Sequence, residues 1–211
     1  APAGSIAGVS SFQVHIAGSD ILTPGDNPDV LVAMNPAALK ANLADLAPAG
    51  TIVVNRDAFD ERNLQRAGYR TNPLLDGSLR GYQVIEVPME EMTLQAVKSS
   101  GVGAREGLRS KNFFALGLMI WMFSRPVEPT LAWIERTFAD KQAVMKANAA
   151  AFRAGYNFGL NTEQFRHSFQ VKPARLRPGE YANVTGNQTV AWGLVAAAQA
   201  ARLPLLYSSY P

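Results

Sequence analysis

Two apolar runs, Val30-Leu31-Val32-Ala33-Met34 and Ile52-Val53-Val54, flank an Asn-Pro turn and a leucine-spaced stretch. This block limits the fold more than anything else in the chain. A strand that is apolar at every position is buried on both faces, as in parallel sheets covered by helices. Asn35 suits a helix cap, and Pro36 suits the first helical position, where its missing N–H costs nothing. Leu39, Leu43 and Leu46 recur at helical spacing through residues 36–46, and Ala47-Pro48-Ala49-Gly50 ends the pattern. Residues 29–55 therefore read as a strand over 29–34, a helix over 36–46 and a strand over 51–55. Such a crossover makes a parallel pair.

The second constraint is the segment 113–123, apolar at nearly every position. A helix that is hydrophobic all round belongs inside a protein. It is too short for a bilayer, which needs roughly 20 apolar residues. Ser110 or Asn112 is expected to cap it, Arg125-Pro126 to stop it, and the small Ala115 and Gly117 to admit a neighbouring backbone. We expect a core helix packed on a sheet.

The remaining pattern is α/β as well. Residues 12–16 alternate apolar and polar like a strand. Residues 56–67 suggest a short polar helix ending at Gly68, 82–88 a strand, and 93–100 a helix ending at Gly101. Leu131, Ile134 and Phe138 share one helical face, flanked by Trp133, with a joint near Asp140-Lys141. A further helix over 142–152 is expected to stop at Gly155. Residues 158–179 lack periodicity and carry Arg166, His167, Lys172, Arg175 and Arg177, the pattern of an extended linker. Thr185-Gly186-Asn187 then opens an amphipathic helix over 189–202, followed by a strand at 204–207. The predicted division is a first domain at 1–158, a linker at 159–180 and a second domain from 181 to 211.

Composition removes several function classes. The 211 residues carry a net charge of +3 spread along the chain, and 18% of them are charged. No run of Lys and Arg interleaved with aromatics marks a nucleic-acid surface. With no cysteine, these residues hold no disulfide and no cysteine-ligated zinc or iron–sulfur cluster, and His15 and His167 are too few for a histidine-rich metal site. No signal peptide or membrane span is evident, so the expected location is the cytoplasm.

Candidate chemistry is sparse. Ser110-Lys111-Asn112 follows Arg105 and Arg109 at an expected helix start, where free N–H groups and the helix dipole suit an anion. The same residues also suit a plain cap with solvated basic neighbours. Asn35-Pro36 lies at the carboxyl end of a buried strand, where open α/β sheets place ligands, or is simply a cap. His15 alternates with Val14 and Ile16 and points away from the side they would bury. Ser5, Ser10 and Ser11 lack the Gly-x-Ser-x-Gly setting of a nucleophile. Glu90-Glu91 and Asp60-Glu61 read as solvated faces, and Trp121, Trp133 and Trp192 as core or interface residues. No catalytic residue and no metal ligand is assigned.

Four blocks and a tail, in order, carry a family resemblance. They are residues 2–15; Asp29-Val30-Leu31-Val32-Ala33-Met34-Asn35-Pro36-Ala37-Ala38-Leu39; Arg109-Ser110-Lys111-Asn112-Phe113-Phe114-Ala115-Leu116-Gly117; Gly155-Tyr156-Asn157; and the tail from Thr185-Gly186-Asn187-Gln188-Thr189 to Tyr210-Pro211. Together they resemble the alpha subunit of 2-oxoacid:ferredoxin oxidoreductases, the 2-oxoglutarate type above all. The resemblance implies a Rossmann-like, mostly parallel sheet with flanking helices, the gamma domain without its opening strand. The start of the thiamine-pyrophosphate pyrimidine-binding domain, a second α/β domain, would follow. It implies oxidative decarboxylation of a 2-oxoacid with coenzyme A to acyl-CoA and carbon dioxide, with electrons passed to ferredoxin. Thiamine diphosphate, Mg2+ and an iron–sulfur cluster would sit on a beta subunit, in an (alpha-beta)2 hetero-oligomer without nucleic acid or membrane. Coenzyme A would then be the anion near Ser110, Lys111 and Asn112. The family's opening glycine-rich turn and its Ile-Thr-Pro run are expected beyond the two ends of the chain, and Gln188 stands where many relatives carry glutamate. On this reading the chain alone is inactive. The alternative is a non-catalytic coenzyme A- or nucleotide-binding module, or an assembly module.

Overall fold

Three parallel strands in the order β1-β2-β3 carry the first part of the chain: β1 Val30–Ala33, β2 Thr51–Asn55 and β3 Gln83–Val87. The computed structural model describes residues 9–21, 23, 25–165, 168–175, 177–182 and 184–208. Ser5, Arg166 and His167 lie outside the described residues, as do residues 2–8 and Ser209, Tyr210 and Pro211 from the blocks quoted above. The chain divides into two units, Ala1–Ala174 and Arg175–Pro211.

In the first unit, helix α1 (Pro36–Asn42) links β1 to β2, and α2 (Glu61–Arg66) lies between β2 and β3. The parallel register aligns Val32 with Val53 and Val53 with Ile85. Strand side chains alternate faces, and this alternation builds two cores. Val53, Ile85 and Val87 face a cluster with Phe114, Leu118 and Met122. Ile52, Val54 and Ala33 face the other way, against Leu39, Leu46 and Phe59. Every residue of the central strand β2 is buried, whereas β1 buries only Ala33. The sequence suggests burial of both runs; among the described residues β1 is an edge strand, paired on one side only.

The helices of the larger core are α3 (Met89–Val97), α4 (Ala104–Gly107), α5 (Lys111–Met122), α6 (Glu128–Thr137) and α7 (Gln142–Asn161). Helix α5 is the apolar segment, and it packs on the sheet as expected. It ends in a Schellman motif, with Arg125 N–H donating to Ile120 O (2.8 Å) and Ser124 N–H to Trp121 O (3.0 Å). Ser124 takes the left-handed conformation at φ 49°, so the chain turns before Pro126 is reached.

Helix α7 does not stop at Gly155. It runs to Asn161, and its glycines are contact points, not breaks. A Cβ on Gly155 would collide with the Phe114 carbonyl, one on Gly117 with the Phe152 carbonyl, and one on Gly159 with the Trp121 ring. Ala147, Ala151, Gly155 and Gly159 form a small-residue ridge four residues apart, so the two backbones approach closely. Ser110 meets Asn148 at one end and Trp121 meets Gly159 at the other, so α5 and α7 run in the same direction. Helix α6 supplies the return.

Other expectations are corrected. Residues 12–16 form no strand; Phe12 is 91% exposed, and no ladder pairs with this segment among the described residues. Alternation sets which way each side chain points but does not supply a second strand, so the pattern alone is not enough. The helix expected over 93–100 begins at Met89 and ends at Val97. Residues 56–67 split into a 3-10 turn, Arg56–Ala58, and α2. The linker expected from 158 is helical to Asn161, and beyond it Phe165 and Phe169 pack on Trp121 and Phe123.

In the second unit, α8 (Gly186–Ala201) carries a full capping box: Thr185 Oγ1 accepts from Gln188 N–H, and Gln188 Oε1 accepts from Thr185 N–H (2.8 Å). Arg202 closes it in the left-handed conformation. None of its residues is buried. Residues 204–207 are irregular and exposed, so the expected strand is absent among the described residues.

Candidate functional site

Parallel strands bring their carboxyl ends to one edge, and the side chains that follow β1, β2 and β3 meet there. After β1, Asn35 Oδ1 accepts the Ala38 N–H (2.8 Å) and caps α1, as the sequence suggests. After β3, Pro88 precedes α3 and has no side chain able to cap it. Asp57, from the turn after β2, does so instead: its Oδ2 accepts from Glu90 N–H (2.9 Å) and Glu91 N–H (3.0 Å). A carboxylate also suits the positive end of a helix dipole.

Asn55 ends β2 and is fully buried. Its Nδ2 lies 3.4 Å from both Met34 O and Glu90 Oε1. Its Oδ1 is buried with no hydrogen-bond partner among the described residues. An unpaired buried acceptor costs about 1–3 kcal/mol. Above it, Lys111 Nζ donates to the same Glu90 Oε1 at 2.6 Å, and the two side chains are 32% and 29% exposed. Asn55, Glu90 and Lys111 thus form one polar chain from the buried sheet edge to solvent.

The three residues expected at an anion site diverge. Ser110 is buried, and its hydroxyl donates to Asn148 Oδ1 (2.7 Å). Lys111 turns to Glu90, and Asn112 is exposed. Neither Ser110 nor Asn112 caps α5, because a 3-10 turn, Leu108–Ser110, leads into it and the Lys111 N–H already donates to Leu108 O. Of the three, only Lys111 joins the polar chain at the sheet edge. Glu90 is no solvated face but the centre of that chain, and Asp60 caps α2 through Asn63 N–H (2.8 Å). The pattern of the sequence does not bring Asn55, Asp57 and Glu90 together as a set. The available signal is a polar residue closing an otherwise apolar strand and a proline where α3 needs a cap.

Other surfaces offer less. An open groove of ≈ 570 Å³ between α3 and α7 is lined by Met92, Gln95, Ala96 and Phe158 with the amides of Asn157 and Asn161, and no charge converges on it. A smaller hollow of ≈ 330 Å³ lies beside Tyr69, whose hydroxyl is pushed above its ordinary pKa by burial and then by the charge of Asp76. Asp76 itself is held below the usual carboxylate range by hydrogen bonds from Ser78 and Thr71. No cluster of three or more His, Cys, Asp or Glu side chains exists among the described residues. Among them, no helix is long and apolar enough to cross a membrane. The edge chain can therefore bind and orient a polar group; it supplies no nucleophile paired with a base.

Residues 3–158 match the family described as pyruvate ferredoxin/flavodoxin oxidoreductase. The chain is 51% identical over all 211 residues to the 2-oxoglutarate oxidoreductase subunit KorA of Mycobacterium tuberculosis, of which it covers 32%. It is 25% identical over 195 residues to the alpha subunit of 2-oxoacid:ferredoxin oxidoreductase 2 of Aeropyrum pernix, covering 87% of this chain and 26% of that protein. The chain thus spans a third or less of these curated relatives. Among solved structures, the 2-oxoglutarate:ferredoxin oxidoreductase of Magnetococcus marinus superposes with a TM-score of 0.54 at 22% identity, over 74% of this chain and 24% of that one. That structure holds 2-oxoglutarate, coenzyme A and succinyl-CoA. At this identity the likeness speaks for the fold.

Proposed function

This chain belongs to the pyruvate ferredoxin/flavodoxin oxidoreductase family, and from that premise we propose that it is part of the alpha subunit of a 2-oxoglutarate:ferredoxin oxidoreductase. The reaction is oxidative decarboxylation of the 2-oxoacid with coenzyme A, giving the acyl-CoA and carbon dioxide and passing electrons to ferredoxin. The observation that carries this is 51% identity over the whole chain to a subunit named for 2-oxoglutarate. A cytoplasmic location and a beta-type partner in an (alpha-beta)2 assembly are part of the same reading. On it, residues 1–158 are the gamma domain, 159–180 the connection and 181–211 the start of the pyrimidine-binding domain.

The donor set assigns roles by exclusion. The chain has no cysteine, and no acidic or histidine cluster forms among the described residues, so these do not fit Mg2+ or an iron–sulfur cluster. Thiamine diphosphate, its Mg2+ and the cluster are assigned to the partner. Coenzyme A is the ligand this chain fits best. Of the expected anion residues, Ser110, Lys111 and Asn112, the reading now rests on Lys111. An ion pair with both partners about one-third exposed is worth roughly 0–1 kcal/mol. A charge-assisted hydrogen bond to a phosphate is worth about 1.5–3 kcal/mol. On this reading a phosphate takes the place of Glu90 as the acceptor for Lys111, and the partly exposed Glu90 is left to accept from an amide or amine donor.

The test is reconstitution. Full-length protein mixed with its beta-type partner is expected to reduce a viologen dye with 2-oxoglutarate and coenzyme A, and neither subunit alone should. Turnover by the alpha chain alone would overturn the assignment. Tight coenzyme A binding with no turnover in the mixture would favour the non-catalytic module instead.

A further inference from the structure

Glu90 is aimed at Lys111 by the fold around it. Its backbone N–H donates to Asp57 Oδ2 (2.9 Å), and Asn55 Nδ2 lies 3.4 Å from its Oε1, the oxygen that accepts from Lys111 Nζ at 2.6 Å. Met89, the residue before it, is fully buried, so the start of α3 is fixed to the core. Asp57 already supplies the negative charge that suits the α3 dipole, and the Glu90 carboxylate is not needed there. Asn55 stands fully buried with an acceptor left over, and its amide nitrogen is directed at Glu90 and Met34 O. Glu91, one residue on, is exposed and accepts from Gln95 Nε2 (3.2 Å). An anion that reaches Lys111 therefore meets the carboxylate of Glu90 first, with those of Asp57 and Glu91 in the same turn.

We propose that Glu90 is a built-in competitor for the anion that Lys111 takes, with Asp57 as the positioning residue that keeps it in place. The inference rests on the coenzyme A reading above and names what sets the affinity and selectivity of that contact. A carboxylate fixed in the same fold faces the ammonium at a high effective concentration. A small free anion, such as chloride or inorganic phosphate, has only the ammonium to gain and is held off. A phosphate that belongs to a large ligand is carried in by the other contacts of that ligand and displaces Glu90. Lys111 thereby favours coenzyme A over small anions and binds it less tightly than an unpaired lysine would. With both partners about one-third exposed, the effect on the binding constant is at most about fivefold.

Calorimetric titration of coenzyme A into the full-length protein assembled with its beta-type partner tests it. Glu90→Gln keeps an acceptor and removes the charge, and Kd should fall about two- to fivefold. A damaged site binds its ligand more weakly, so tighter binding is not the mark of a merely structural Glu90. Lys111→Ala should raise Kd, and adding Glu90→Gln to it should change Kd by no more than about 1.5-fold, because the competitor acts through the ammonium. Asp57→Ala should lower Kd by less than Glu90→Gln does, and Asp57→Asn, which keeps an acceptor for the Glu90 N–H, should restore the parent value. An unchanged Kd in Lys111→Ala would overturn the coenzyme A reading of Lys111 and this inference with it. A raised Kd in Lys111→Ala together with an equal or weaker Kd in Glu90→Gln would overturn the competitor alone. Asp57→Ala and Asp57→Asn with the same Kd would overturn the positioning role of Asp57.

Discussion

Helices α5 and α8 look alike as sequence and fare differently in the structure. Both are apolar through their middle and both contain a glycine there, Gly117 in one and Gly193 in the other. Helix α5 buries Phe114, Ala115, Gly117, Leu118 and Met122, whereas α8 buries nothing. A Cβ on Gly117 would strike the Phe152 carbonyl, while one on Gly193 would meet nothing within 4 Å. The local code of α8 is the better of the two, with a capping box at its start and a left-handed residue at its end. Helix α5 has no side-chain cap at all. Capping decides where a helix starts; a facing ridge of small residues decides whether it is buried.

Four substitutions press on that contrast. Phe114→Ala removes a fully buried ring and should cost about 3–5 kcal/mol in urea denaturation. Gly155→Ala, which drives a methyl into the Phe114 carbonyl, should cost about 1–3 kcal/mol by the same measurement. The same change in α8, Gly193→Ala, has the opposite sign. Hydrogen exchange in α8 should slow as the helix gains about 0.5–1 kcal/mol of propensity. Trp192→Ser, at a residue 59% exposed, should leave denaturation of the protein within about 0.5 kcal/mol of the parent. A loss on Gly193→Ala as large as that on Gly155→Ala would erase the distinction between the two helices.

The sequence discloses what neighbouring residues decide. Strand β2 has the expected start and end, β1 and β3 each lie one residue inside the expected bounds or closer to them, and Asn35 caps α1 as its position before Pro36 suggests. What stays hidden is decided across the fold. Gly155 reads as a stop in a one-dimensional pattern, and only the Phe114 backbone explains it as a contact. Residues 12–16 alternate as a strand does, but alternation does not reveal whether a partner strand lies beside them. At the candidate site, Asp57 caps a helix more than thirty positions later in the chain, and Lys111 finds Glu90 across twenty-one. A cap of this kind has no sequence spacing to recognise. Ser110 misled for a related reason: it stands at the start of α5 but turns inward to Asn148, thirty-eight residues away.

On the proposed function, the carboxyl edge of the sheet, through Lys111, meets the anionic part of coenzyme A. Steady-state kinetics of the reconstituted complex with Lys111→Ala tests it most directly. The account predicts that KM for coenzyme A rises roughly tenfold or more, as expected for a lost charge-assisted contact, while KM for 2-oxoglutarate stays at the parent value. An unchanged KM for coenzyme A in a folded, fully assembled Lys111→Ala complex would contradict it.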